Sequence, residues 1–268
     1  MKNEIVKDMN INDYHDHPGL SNSGLKLILD CPARYYTEYL DENNPKDEEK
    51  KKEFVLGSAV HSLVLEPEKF MQDNYVMPKC DRRTSKGKEE YEMHMHCAGR
   101  KNLMTVEQYE KADAMKHSIL KRIKWLPDML KKAHIEQSFF WVDEDTGVQL
   151  KSRPDAYTED FYVDLKTVGS MKEFVKNVYR YNYHTQAAMA KEALHKLHGI
   201  KYSHFIYVIV EESYPYLAKP FCLDDASLDL GHKEFKRGAE IYKRCIESGE
   251  WSDYGSDVEQ IYLPHWMA

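Results

Sequence analysis

The sequence predicts an α/β fold, a mixed β-sheet flanked by helices behind a helical N-terminal elaboration. Three observations carry that expectation. Residues 1–132 hold apolar positions at helical spacing; residues 133–166 hold short alternating runs around a hairpin turn; and HFIYVIVEE, from His204, is the most apolar strand-like run in the chain. Helices, then three strands, a helix pair and a further strand make an antiparallel hairpin feeding a mixed sheet.

Taken in order, SNSGLKLILDCPARYYTEYL from Ser21 has serine caps before apolar residues at helical spacing and predicts one helix. DENNPKDEEKKK, from Asp41, is charged and predicts a solvated loop. EFVLGSAVHSLVLEP predicts a helix stopping at Pro67. The basic, turn-rich stretch from Met77 to Lys88 predicts a mobile loop, and two or three amphipathic helices follow to about Lys132. Ala133–Val142 and Val148–Tyr157 predict strands joined by the turn Glu144-Asp145-Thr146-Gly147, with a third strand over Phe161–Lys166. Met171, Phe174, Val175, Val178 and Tyr179 form a helical stripe, and a further helix spans Tyr183–His198. Tyr214–Cys222 predicts an edge strand, and Ala226–Ser248 a final helix before an irregular tail.

The chain of 268 residues suits one sizeable core, and its net charge of -7 argues against coating nucleic acid through bulk positive charge. A local basic groove stays compatible with that balance. Five scattered cysteines without a CxxC spacing point to reduced thiols in a cytoplasm, and no apolar run approaches the ~20 residues of a membrane span. His94 and His96 stand at i, i+2 and do not share a helix face, which argues against a zinc site with Cys97.

The informative segment is KSRPDAYTEDFYVDLKT. On a strand, residues i and i+2 share a face, so Asp164 and Lys166 project together, and Asp155 reaches the same face if its strand is a neighbour. Two carboxylates beside an ammonium suit Mg²⁺, which takes one or two protein carboxylates and completes its shell with water and substrate phosphate. Phosphodiester hydrolysis needs those parts: a polarising cation and a lysine that orients water or neutralises developing charge.

Pro154-Asp155 followed by Asp164-Leu165-Lys166 resembles the signature of the PD-(D/E)xK nuclease superfamily, and more of the chain resembles its phage and prophage exonuclease VIII (RecE-type) branch. PGLSNSGLKLILDCPARYY, GSAVHSLVLEPEKF, DRRTSKGKEEYE, and Ser252-Asp253-Tyr254 with the closing LPHWMA carry that similarity in order along nearly the whole chain. The resemblance implies a restriction-endonuclease-like core in a single domain spanning 1–268: a helical part over 1–132 with His61, a catalytic core over 133–225, and a C-terminal helix and tail over 226–268. It implies that His61, Asp155, Asp164 and the Leu165 backbone carbonyl bind Mg²⁺, with Mn²⁺ able to substitute, and that Lys166 is the catalytic lysine. Gln186 matches the glutamine of a QxxxY motif; Ala190 stands where its tyrosine belongs, and Tyr183 is the candidate substitute. Glu136 occupies a position where relatives often carry an acid. Arg82, Arg83, Lys86 and Lys88 are candidate phosphate contacts on a basic loop.

Related helicase-associated nucleases hold an iron–sulfur cluster on four cysteines; Cys31 echoes the first, but no cysteine follows Cys245, so no cluster is expected. The implied activity is 5′→3′ exonucleolytic digestion of double-stranded DNA ends in phage or prophage recombination. Its implied setting is the cytoplasm of a bacterial host, beside a single-strand annealing recombinase, in a homo-oligomeric ring, a tetramer being the expected size. The alternatives are an endonuclease or single-strand nuclease of the same fold, or a catalytically inactive DNA-binding or assembly module.

Overall fold

The computed structural model describes residues 3–44, 55–200, 204–258 and 260–262. The greater part of the expected charged loop from Asp41 and the closing LPHWMA lie outside the described residues. Strand β1 (Glu4–Val6) and helix α1 (Ile11–Asp16) come first, neither of them predicted. The Ser21 hydroxyl accepts from the Gly24 N–H at 3.2 Å and opens helix α2 (Asn22–Asp30). The single helix expected from Ser21 is interrupted at Cys31, because Pro32 disfavours helical backbone in the residue before it. Helix α3 (Pro32–Tyr35) and a π-helical turn over Tyr36–Leu40 follow.

Helix α4 (Val55–Leu65) ends just before Pro67, which begins helix α5 (Pro67–Asp73). The segment from Met77 to Lys88 is not one loop. Met77 closes strand β2 (Asn74–Met77), and Thr84 caps helix α6 (Ser85–Ala98) by accepting from the Gly87 N–H, so Lys86 and Lys88 are helical. Strand β3 (Asn102–Thr105) pairs parallel with β2, and a Thr105–Gln108 capping box opens helix α7 (Val106–Arg122); helix α8 (Leu126–Leu130) completes the N-terminal part.

Each arm of the predicted hairpin breaks in two. Its first arm forms strands β4 (His134–Ile135) and β5 (Ser138–Val142), parted at Glu136, whose φ is 49°. The second forms β6 (Gln149–Ser152) and β7 (Ala156–Tyr157), parted around Pro154, which has no N–H to give a ladder. The halves join different sheets. β1, β5 and β6 make a three-stranded antiparallel sheet. A five-stranded sheet takes the order β10-β9-β8-β7-β4, where β8 is Phe161–Val168, β9 is His204–Glu211 and β10 is Ala218–Cys222. Only β8 and β9 run parallel in it, joined through helices α9 (Met171–Asn177) and α10 (Tyr183–His198), so the sheet is mixed as predicted. Helix α11 (Asp225–Ser248) packs along α10, where Gly231 lets the backbones meet: a Cβ there would lie 2.2 Å from the His184 carbonyl oxygen.

Strand periodicity divides the core. Val163, Leu165, Val208 and Val210 face a cluster built with α4, α7 and α8, whereas Tyr162, Tyr207 and Ile209 face one built with α2, α10 and α11. Lys151 ties the N-terminal segment to β6 by donating to the carbonyls of Tyr14, His15 and His17 at 2.8, 2.9 and 2.6 Å. Among the described residues no helix is long and apolar enough to cross a membrane.

Candidate active site

The break between β6 and β7 releases Asp155 from the ladder. Its Oδ2 accepts the Leu165 N–H at 2.6 Å and lies 2.8 Å from His61 Nε2, so one carboxylate oxygen joins helix α4 to strand β8. Gly57, one turn before His61, permits that approach, since a Cβ there would stand 3.2 Å from Thr167 Oγ1. The left-handed turn at Glu136 carries its carboxylate inward: Oε1 sits 3.2 Å from His61 Nδ1, and Oε2 accepts from Arg153 Nε at 2.6 Å. Both imidazole nitrogens therefore face carboxylates.

Asp164 and Lys166 share a face of β8, with Lys166 Nζ 2.5 Å from Asp164 Oδ2. Gln186 on α10 donates to Asp164 Oδ1 at 2.7 Å. The Tyr183 ring, one turn earlier on α10, has its centroid 5.8 Å from Lys166 Nζ. Ala190, one turn after Gln186 on α10, is fully buried in the core.

Burial and charge set the protonation states. Burial alone would lower the His61 pKa, but Asp155, and then Glu136, outweigh it and raise it to about 9. Burial would raise Asp155, yet His61, Lys166 and the Leu165 N–H hold it below its ordinary value. Asp164, only 3% exposed, is pushed up to about 6 by burial, against the pull of Lys166. Glu136 is also raised, chiefly by burial. Burial opposes the charge on Lys166, but Asp164 and Asp155 prevail and keep it an ammonium.

The group of residues fits a divalent cation. One donor atom each from His61, Glu136 and Asp155 lie within 4.8 Å of one another. Asp164 Oδ2 is buried without an aligned hydrogen bond despite its contact with Lys166, which leaves a lone pair for a further partner. Carboxylates with one imidazole suit Mg²⁺ or Mn²⁺ better than a thiolate-seeking ion. The sequence did not reveal Arg153, the positioning partner of Glu136; only the fold, placing residues 17 apart on adjacent strand ends, pairs them. Asp164 stands outside the tight three-residue group, while Glu136 lies within it.

The candidate phosphate contacts are placed differently. Arg83 pairs with Asp81 at 2.8 Å, Arg82 lies over the Tyr91 ring, Lys86 is 3.9 Å from Glu90, and Lys88 is exposed. His94 Nδ1 lies 2.8 Å from the Tyr75 hydroxyl. A cavity of about 520 Å³ between the β5–β6 turn and α11 contains none of the site residues.

These charges make a pH test of the metal-free protein. His61 has a higher pKa folded than the ~6.5 of an unperturbed imidazole. Its stabilisation is therefore complete below pH ~6.5 and is lost as pH rises through about 9. In chelator-treated protein, the difference in melting temperature between wild type and His61→Gln is expected to shrink steadily over that interval; a constant difference would contradict the assignment.

The solved structure of a protein from Eubacterium rectale described as a "Putative exonuclease" matches with a TM-score of 0.61 at 15% identity, covering 96% of this chain and 97% of that one. At that identity the likeness concerns the fold. No curated protein matches the chain. The model of a family described as "PDDEXK-like domain of unknown function (DUF3799)" matches residues 21–263. With mixed sheet, flanking helices and Asp155, Asp164 and Lys166 drawn together, the chain belongs to that PDDEXK-like family.

Proposed function

We propose that the chain is a divalent-metal-dependent exodeoxyribonuclease that hydrolyses phosphodiester bonds from double-stranded DNA ends. The observation that carries this reading is the meeting of Asp155, His61 and Glu136 beside the Asp164–Lys166 pair. His61, Glu136, Asp155 and Asp164, with the Leu165 carbonyl, would hold Mg²⁺ or Mn²⁺. A cation bound by them supplies charge against the phosphoryl oxygen and makes water a stronger nucleophile.

The chain's own residues do the rest. Lys166 keeps its proton beside Asp164 and presents a fixed positive charge to a pentacovalent phosphate. Gln186 fixes the Asp164 carboxylate through Oδ1 and leaves Oδ2 against the Lys166 ammonium. The Leu165 N–H and His61 hold Asp155 in one rotamer, and Arg153 does the same for Glu136. Tyr183 borders Lys166 with an aromatic face suited to a base or sugar.

The 5′→3′ polarity, the preference for duplex and the recombination role are supported by the ordered resemblance to exonuclease VIII-type nucleases. So are an annealing-recombinase partner, a ring such as a tetramer, and a site of action in the bacterial host cytoplasm. A ring would keep an acidic chain on DNA by topology where bulk charge does not. Linear duplexes labelled at the 5′ or the 3′ end, digested beside a closed circle, test the reading. Early release of the 5′ label and a persistent circle are expected; cutting of the circle would replace the exonuclease by an endonuclease, and early 3′ release would reverse the polarity.

A further inference from the structure

We propose that a cavity at the end of β8 receives the unpaired terminal nucleobase of the strand being cut, its phosphate directed back toward Lys166. The proposal rests on the nuclease reading above and names the part of the substrate that this side of the site holds. The cavity measures about 280 Å³. That is slightly below the ~300–1,000 Å³ of small-ligand pockets, a size for one nucleoside and too small for a base pair.

Its position ties it to the chemistry. Thr167 and Val168, which follow Lys166 directly along β8, and Gly169 just beyond its end form one wall. Phe174 and Tyr183 stand across from them as a stacked pair, with centroids 5.5 Å apart, and Tyr181 lies 5.7 Å from Tyr183. The Tyr183 ring thus borders both the cavity and the lysine. Asn182, at φ 53°, turns the chain between the two tyrosines; asparagine tolerates this left-handed backbone better than most residues. Stacking on aromatic rings holds any base, because every base has a π-face.

The polar lining selects the base over the phosphate. Glu173 and Glu212 line the cavity, and neither forms an ion pair among the described residues. Two uncompensated carboxylates repel a phosphate but accept hydrogen bonds from exocyclic amines, as acidic side chains do from cytosine N4. Lys26 Nζ, 5.0 Å from the Tyr181 centroid, adds a cation beside the rings.

Equilibrium binding of dCMP, dUMP and deoxyribose 5-phosphate to the full chain with Mg²⁺ tests the cavity without requiring cleavage. Wild type is expected to bind dCMP at least ~10-fold more tightly than deoxyribose 5-phosphate, from stacking on the rings. Tyr181→Ser, at a ring 42% exposed and so expected to fold, should remove most of that difference. Glu212→Gln should reduce the preference for dCMP over dUMP. Equal binding of dCMP and deoxyribose 5-phosphate, no binding of either, or a preference unchanged in Tyr181→Ser would overturn the proposal. If wild type fails to cut DNA while this binding pattern holds, the nuclease reading falls and the nucleoside cavity stands.

Discussion

Asp155→Asn is expected to lower metal-dependent DNA hydrolysis by about 10²–10³-fold while duplex binding stays near that of wild type. That magnitude is typical of removing one preorganised charged or polar group from a transition-state site. The substitution is nearly isosteric, and an amide oxygen can still accept the Leu165 N–H, so the tie from the start of β7 to β8 survives. What disappears is the charge that holds His61 and would hold a cation. The loss should therefore fall on the rate at saturating DNA, with little change in affinity for the duplex. Single-turnover digestion and fluorescence anisotropy separate the two quantities. Equal activity of the variant and wild type would remove Asp155 from the site.

Lys236→Met is expected to cost about 3–5 kcal/mol of folding stability, the range found when one partner of a buried ion pair is removed. Lys236 on α11 contacts Asp143, whose side chain is 0% exposed, and reaches Glu192 at 3.0 Å and Asp145 at 3.2 Å. Burial pushes the Asp143 pKa upward, and only the bonds from Lys236 and Thr146 bring it below its ordinary value. Without the lysine, the hairpin that ends β5 retains a buried charge. Glu192 loses one partner too, while still accepting from Trp141 Nε1 at 3.2 Å. For a chain of this size the cost corresponds to a fall in melting temperature of roughly 10 °C. Arg34→Ala, at a pair with Asp30 whose side chains are 57% and 51% exposed, provides the contrast and should change stability by less than ~1 kcal/mol. Similar losses in both variants would deny the buried network its role.

The parts of this molecule legible in the sequence are those decided by local periodicity. Asp164 and Lys166 share a face because strands alternate, and Gln186 faces Asp164 from a helix whose limits, Tyr183–His198, follow from its pattern alone. The mixed sheet followed from the order of elements. Less legible were features set by single backbone positions. Glu136 at positive φ and Pro154 without an N–H split a hairpin that alternation predicts as continuous, and that split frees Asp155. Pro32 cut a helix whose apolar spacing ran past it. The three-residue β1 carries too short a pattern to stand out, and it exists by pairing with β5. The basic segment near Lys86 looked like a loop because its turn formers outnumber its apolar residues, yet Thr84 caps a helix there. Arg153 was invisible as a positioning residue for the same reason that Glu136 was uncertain: their contact is made by tertiary structure alone.

The central claim is that this cluster hydrolyses DNA when supplied with a divalent cation. It is tested most directly by incubating purified chain with linear duplex DNA under chelator, Mg²⁺ and Mn²⁺, and measuring acid-soluble nucleotide release, with Lys166→Ala alongside. Release that requires Mg²⁺ or Mn²⁺ and collapses in Lys166→Ala is the predicted result. No release by wild type with either ion, or equal release by the variant, would contradict it.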